Sequence, residues 1–127
     1  MDILSLTMVD ILIADDSDAI RLVLKEILLI GEHNVVAEAT DGAEAVDFYQ
    51  KHKPQLLMTD FSMPHKDGLQ VVKEVIAIDP NAKIILITAS DDKKIIQECI
   101  DNGAATMVTK PFDFKVVLKT ITEVMEN

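Results

Sequence analysis

Residues 9–31 read VDILIADDSDAIRLVLKEILLIG and contain the unit from which the fold is built. The first six are almost continuously apolar and are followed by two aspartates, a pattern typical of a strand that is covered on both faces. Apolar residues then recur at helical spacing: Ile20, Val23, Leu24 and Ile27. Gly31 stands where such a helix would end. The stretch therefore predicts a strand, a short polar turn and an amphipathic helix.

The same alternation continues along the rest of the chain. Short apolar runs predict further strands at 35–37, 56–59, 84–88 and 107–109. Helical spacing follows each of them: Val46 and Tyr49; Val72, Val75 and Ile76; Ile95, Ile96, Cys99 and Ile100; Val117, Ile121 and Val124. The predicted N-caps are Ser17, Asp41 and Asp91, and the predicted helix ends are Asp79-Pro80 and Asn102-Gly103. Five such units predict an α/β fold, a flavodoxin-like doubly wound sheet of five parallel strands in the order 2-1-3-4-5 with five helices.

Length and charge narrow the classes of function. The chain has 127 residues, the usual size of one domain, and 22 acidic against 12 basic residues give a net charge of −10, which disfavours nucleic acid as a partner. No apolar run reaches the roughly 20 residues that cross a bilayer, so membrane insertion is not expected. Residues 1–8 have no secretory signal and are predicted to be an extension ahead of a domain at 9–127. A lone Cys99 fits a reducing compartment and predicts the cytoplasm.

Polar residues follow four of the five predicted strands. They are Asp15-Asp16 after the first, Asp60 after the third, Thr88-Ala89-Ser90 after the fourth and Lys110-Pro111 after the fifth. Each alone has an ordinary explanation, such as a helix cap, a turn or a solvated lysine. In the order 2-1-3-4-5, however, these four strands are neighbours, and ligands bind such sheets at the carboxyl ends of the strands. We therefore expect these side chains to share one crevice.

A crevice with three carboxylates requires a cation. Two ionised carboxylates about 4 Å apart repel by roughly 4 kcal/mol at an effective dielectric constant of about 20. Hard oxygen ligands favour Mg²⁺, which is typically held by one or two carboxylates together with a substrate phosphate, and no Cys/His cluster suggests zinc. Asp60, at the end of the central strand, is then the predicted nucleophile that forms an aspartyl phosphate. The predicted partners of its phosphoryl oxygens are Mg²⁺, Lys110 and Thr88.

Four motifs resemble the receiver domain of two-component response regulators, in particular the stand-alone chemotaxis type, over residues 8–126. They are ILIADDSDAIR (11–21), LLMTDFSMPHKDG (56–68), ILITAS (85–90) and VTKPF (108–112). The resemblance implies that Asp60 accepts a phosphoryl group from a sensor histidine kinase or a histidine phosphotransfer protein. It also implies that Mg²⁺ is bound by Asp16, Asp60, the backbone carbonyl of Ser62 and, through water, Asp15.

The resemblance also implies a switch. Thr88 and Lys110 would contact the phosphoryl group and draw the ends of the fourth and fifth strands inward, and Lys110-Pro111 is expected to be cis. The face formed by the fourth helix, fifth strand and fifth helix would then present a changed surface to a downstream target. Met107 occupies the position where the family commonly has Tyr, Phe or His. Methionine can fill a vacated gap but has no aromatic ring.

The sequence also allows other interpretations. Leu22, Leu28 and Leu29 widen the apolar face of the first helix, which indicates either a broad buried face or a docking surface for a kinase helix beside Asp16. The chain could be an unphosphorylated docking module with a receiver fold, or a phosphatase of the haloacid dehalogenase type. Adjacent acids at 15 and 16 disfavour the phosphatase, whose first strand ends in alternating acids. We expect a signalling switch, for which the resemblance favours chemotaxis as the output, and not a turnover enzyme.

Overall fold

The computed structural model describes residues 8–89 and 92–127, in which strands and helices alternate as the sequence predicts. The elements are β1 (Asp10–Ala14), α1 (Asp18–Ile30), β2 (Asn34–Ala39), α2 (Gly42–His52), β3 (Leu56–Asp60), α3 (Gly68–Ile78), β4 (Ile84–Thr88), α4 (Lys93–Asp101), β5 (Thr106–Thr109) and α5 (Phe114–Glu126). All strand pairs are parallel, and the order is β2-β1-β3-β4-β5. The predicted fold class and strand order are confirmed. No helix in the described ranges is long and apolar enough to cross a membrane.

The core consists of two apolar layers, one on each face of the sheet. Ile11 and Ile13 of β1 pack with residues of α1 and α5, whereas Leu12 and Ala14 pack with residues of α2 and α3. Every residue of β3 and β4 is buried. This double cover explains why the strands are continuously apolar instead of alternating with polar residues.

Side chains cap the helices close to the predicted positions. Ser17 Oγ accepts a hydrogen bond from the Ile20 amide, and Asp41 Oδ1 accepts one from Glu44, which confirms both as N-caps. The predicted cap Asp91 lies outside the described residues. The residue that caps α4 is Asp92, whose Oδ1 accepts from the amides of the first turn.

Of the two interpretations of the leucines on α1, the broad buried face is wrong. Leu28 is fully buried, but Leu22 is 55% exposed, Leu29 is 75% exposed, and Val23 is 44% exposed. A helix that packs on a sheet from one side buries a single stripe, here through Leu24 and its neighbours on that side. The other apolar residues of α1 therefore form a surface that faces solvent.

Candidate functional site

Three aspartates converge at the carboxyl edge of the sheet. Asp15 and Asp16 follow β1, and Asp60 is the last residue of β3; Ala14 pairs with Thr59, so the two strands bring these acids side by side. One carboxylate oxygen from each of the three lies within 4.8 Å of the others. Asp15 and Asp60 are buried, and Asp16 is exposed at the opening. The predicted acidic crevice is therefore present.

Lys110 reaches this crevice from the loop that follows β5. Its Nζ lies 2.9 Å from Asp15 Oδ2 and 3.3 Å from Asp60 Oδ1, and its side chain is only 18% exposed. The backbone amide of Lys110 donates to the carbonyl of Thr88, which holds the β5 end beside β4. The Lys110-Pro111 bond is cis, as expected. One ammonium group thus faces two buried carboxylates.

Thr88 and Met107 occupy the two strands between Asp60 and Lys110. Thr88 ends β4 and is buried at the same edge of the sheet, one residue beyond the pairing of Ile87 with Asp60. Met107 is half-buried on β5, beside Leu86, and packs against the core layer that contains α2, α3 and α4. Ala89 is exposed, and Ser90 lies outside the described residues.

Three of the four polar groups of Asp15 make hydrogen bonds. Its amide donates to the Ala39 carbonyl at 3.1 Å, its Oδ1 accepts from the Ser17 amide at 2.9 Å, and its carbonyl accepts from Arg21 Nη1 at 2.7 Å. Its Oδ2 is buried and receives no well-aligned hydrogen bond within the described ranges, so the ammonium of Lys110 is the charge that faces it. A buried carboxylate oxygen in this condition is suited to binding a cation or water.

Burial and charge perturb both partners of the Lys110 contact. Burial, together with the charge of Asp15, raises the pKa of Asp60, although Lys110 acts in the opposite direction. For Lys110, burial alone would lower the pKa, but the close contact with Asp15 and the charges of both acids raise it overall. Three carboxylates against one ammonium leave an excess of negative charge. Hard oxygen donors in this arrangement fit Mg²⁺, which Asp15, Asp16 and Asp60 could hold.

The loop after β3, residues 61–67, is fixed against the beginning of α2. The Gly42 amide donates to the Pro64 carbonyl, and His65 Nδ1 lies 3.2 Å from Asp41 Oδ2. A Cβ atom on Gly42 would lie 1.9 Å from the carbonyl oxygen of Lys66. This loop carries Ser62, an exposed residue whose carbonyl stays a predicted ligand. Close packing with α2 therefore sets the path of the chain beyond Asp60.

Sequence reasoning missed the role of Arg21. Its side chain is buried and bonds to the Asp15 carbonyl, although the helical pattern of α1 was assigned from apolar residues alone. One signal was available, because Arg21 precedes Leu24, a member of the predicted apolar stripe, by three residues and so shares its face of the helix.

Comparison with known proteins identifies relatives over almost the whole chain. A family model described as the response regulator receiver domain matches residues 11–122. The chain is 38% identical to the chemotaxis protein CheY of Thermotoga maritima, over 90% of this chain and 95% of that one. It is 36% identical to the protein CcdB of Bacillus subtilis, over 93% and 98% of the two chains.

Solved structures agree with these relatives. The CheX-CheY-BeF₃-Mg²⁺ complex from Borrelia burgdorferi contains a chain that is 32% identical, with a TM-score of 0.88 over 91% of this chain and 87% of that one. The signal receiver domain of NarL from Mycobacterium tuberculosis is 29% identical, with a TM-score of 0.89 over 94% and 98% of the two chains.

Proposed function

This chain belongs to the response regulator receiver domain family, and on that premise we propose that it is a CheY-like phosphorelay switch whose Asp60 accepts a phosphoryl group. The observation that carries the proposal is the cluster of Asp15, Asp16 and Asp60, with the Lys110 ammonium beside Asp15 and Asp60. The relatives that are named chemotaxis proteins favour chemotaxis as the output.

The residues divide the phosphoryl transfer among themselves. An Asp60 carboxylate oxygen attacks the phosphorus of a phosphohistidine, the new O–P bond forms as the P–N bond breaks, and the imidazole leaves with a proton. Lys110 Nζ, already 3.3 Å from Asp60, pairs with one phosphoryl oxygen, and the Thr88 hydroxyl donates to another. Mg²⁺, held by Asp16, Asp60, the Ser62 carbonyl and, through water, Asp15, would neutralise the charge that accumulates there.

The same contacts provide a switch. Moving a two-state equilibrium from 1:99 to 99:1 takes about 5.5 kcal/mol, and each charge-assisted hydrogen bond contributes about 1.5–3 kcal/mol. New bonds from Thr88 and Lys110 to the phosphoryl group would together contribute about 3–6 kcal/mol, a range that includes this value, and would draw the ends of β4 and β5 inward. Met107, on β5 beside Leu86, would repack, and the Lys110-Pro111 turn would move with the strand ends. We propose that the α4–β5–α5 face then binds a downstream target.

We further propose that the exposed side of α1 binds the phosphodonor protein. Leu22, Val23, Leu29 and Ile30 are exposed there with one carboxylate, Glu26, among them. The helix begins two residues after Asp16, so a helix of a histidine kinase or phosphotransfer protein that packs on this surface would lie beside the crevice. Substituting serine for Leu22 and Leu29 should slow transfer from a phosphorylated kinase and leave labelling by acetyl phosphate unchanged. Equal slowing of both reactions would argue against this surface.

Labelling with a small phosphodonor tests the function as a whole. Acetyl phosphate with Mg²⁺ should add the mass of one phosphoryl group to the intact chain, and EDTA should prevent it. Asp60→Asn should remove the gain, whereas Asp47→Asn, an exposed carboxylate on α2, should not. No gain under conditions that preserve acyl phosphates would identify an unphosphorylated docking module. Rapid turnover of a phosphomonoester would identify a phosphatase in place of a switch that accepts one group and hydrolyses it slowly.

A further inference from the structure

Arg21 is a buried cation that the proposed reaction does not use. It is 8% exposed and lies on the face of α1 that packs on the sheet. Burial opposes its charge, but hydrogen bonds with Asp18 and Glu38 outweigh this effect and raise the pKa of Arg21. The guanidinium group therefore remains charged inside the fold, which requires that its donors be satisfied.

The guanidinium group joins three separate segments. Nη1 donates to the Asp15 carbonyl at 2.7 Å, in the loop between β1 and α1. Nε donates to Glu38 Oε1 at 3.2 Å, on β2, and Nη2 donates to Asp18 in the first turn of α1. The other oxygen of Glu38 accepts from Lys25 Nζ at 2.9 Å. The Arg21 side chain thus connects the acidic loop, residues 15–17, to β2 and to its own helix, α1.

The bonded carbonyl belongs to the peptide group between Asp15 and Asp16. A peptide group is planar, so fixing its carbonyl also fixes the amide and Cα of Asp16. The Asp16 carboxylate makes no hydrogen bond or ion pair of its own within residues 8–89 and 92–127, so its position near Asp60 depends on this backbone. We propose that Arg21 is a positioning residue for the cation site, because it orients the Asp15–Asp16 peptide so that the Asp16 carboxylate faces Asp60. The inference rests on the proposed function.

The charge of Arg21 and its hydrogen bond predict opposite effects on Mg²⁺. A nearby positive charge repels a cation, so its removal should tighten Mg²⁺ binding if charge alone mattered. Loss of the bond to the Asp15 carbonyl should instead weaken binding, because Asp16 is then no longer held toward Asp60. Lys25 provides a matched control. It bonds to the same Glu38 and carries the same charge, and among the described residues it makes no bond to residues 15–17. Comparing the two residues separates position from charge.

The test is a titration of the full chain with MgCl₂ in the absence of a phosphodonor, monitored by amide NMR. Arg21→Met should weaken Mg²⁺ binding about tenfold, which is about 1.4 kcal/mol. Lys25→Met should bind Mg²⁺ as well as the unsubstituted chain or slightly better, and Arg21→Lys, which keeps a donor, should recover part of the loss. In the metal-free protein, Arg21→Met should shift the amide nitrogen of Asp16, since the bonded carbonyl belongs to its peptide group. With acetyl phosphate, the variant should need more Mg²⁺ but approach the normal maximal rate.

Equal or tighter Mg²⁺ binding by Arg21→Met would overturn the inference and leave Arg21 as a structural clamp. If Arg21→Met does not fold, as judged by far-UV circular dichroism, Arg21→Lys decides: it must bind Mg²⁺ more weakly than Lys25→Met does. Failure of the unsubstituted chain to bind Mg²⁺ at all would instead refute the proposed function, and with it the cation role of Arg21. The metal-free shift of the Asp16 amide would still report the orientation of the peptide in that case.

Discussion

Replacing Asp60 by asparagine should stabilise the metal-free protein at pH 7, even though it removes the proposed phosphoryl acceptor. The Asp60 carboxylate is buried, with oxygens of Asp15 and Asp16 within 4.8 Å and Lys110 Nζ at 3.3 Å. Asparagine has nearly the same shape and no charge. The change therefore tests the balance of charge in the crevice with little effect on packing.

Coulomb's law gives the size of each contribution. At an effective dielectric constant of about 20, a charge 4.8 Å away repels Asp60 by about 3.5 kcal/mol, and Lys110 attracts it by about 5 kcal/mol. The repulsion from Asp16 is weaker than this because that carboxylate is exposed and screened by solvent. Attraction and repulsion therefore nearly cancel, and the cost of burying the Asp60 charge decides the sign. We expect Asp60→Asn to raise the free energy of unfolding by about 1–2 kcal/mol.

The pH dependence follows from the raised pKa of Asp60. A carboxyl group whose pKa is higher in the folded state contributes stability below its unfolded pKa, and this contribution is lost as the pH rises through the folded-state pKa. Between the unfolded and the folded pKa of Asp60, the free energy of unfolding of the unsubstituted chain should fall as the pH rises. Asp60→Asn has no titrating group at this position and should not show this fall. The difference between them should accordingly be largest at neutral pH and disappear below the unfolded pKa of the carboxyl group, where it is protonated in both states.

Urea unfolding in EDTA, monitored by circular dichroism, measures this difference in the free energy of unfolding. Asp47→Asn is the control, because that carboxylate is exposed and should change stability by less than about 0.5 kcal/mol. Adding Mg²⁺ should stabilise the unsubstituted chain more than Asp60→Asn, since the variant lacks one of the three carboxylates. If Asp60→Asn is the less stable protein in EDTA at pH 7, Lys110 more than balances the negative charge of the three carboxylates, and the crevice does not require a further cation.

Two further substitutions test neighbouring contacts. Gly42→Ala would place a Cβ atom 1.9 Å from the Lys66 carbonyl oxygen, so it should lower the free energy of unfolding in urea by about 1–3 kcal/mol and slow labelling by acetyl phosphate. In the control Gly31→Ala, the Cβ atom meets the flexible end of Leu118, and the loss of stability should be smaller. Equal losses in the two variants would contradict this reasoning. Lys110→Met leaves the buried carboxylates of Asp15 and Asp60 without their cation and should lower the free energy of unfolding in EDTA by about 3–5 kcal/mol. Mg²⁺ should restore part of this stability. If it restores none, the acids do not bind the ion.

The crevice could be predicted from the sequence because parallel sheets impose strong rules. Alternation of strands and helices determines the strand order, and the order places Asp15, Asp60 and Lys110 at one edge. No comparable rule applies to α1, where Leu22 and Leu28 are both leucines in an apolar helix. Which of them is buried depends on how far the helix rotates about its axis on the sheet. That rotation is set by packing against the sheet and α5 and cannot be determined from apolar content.

The contact between Arg21 and Glu38 could not be predicted for a different reason, the irregular pairing of β1 with β2. The register shifts between Ile11 and Leu12, so that Glu38 pairs with Ile13, whose side chain packs on the α1 side of the sheet. In an unshifted register Glu38 would pair with Ala14, which packs on the opposite face. One extra residue in β2 therefore turns the Glu38 carboxylate toward Arg21, and alternation in the sequence, which assumes a regular strand, assigns it to the wrong side. The contact between Arg21 and Glu38 thus depends on a bulge in β2 that the sequence pattern does not show.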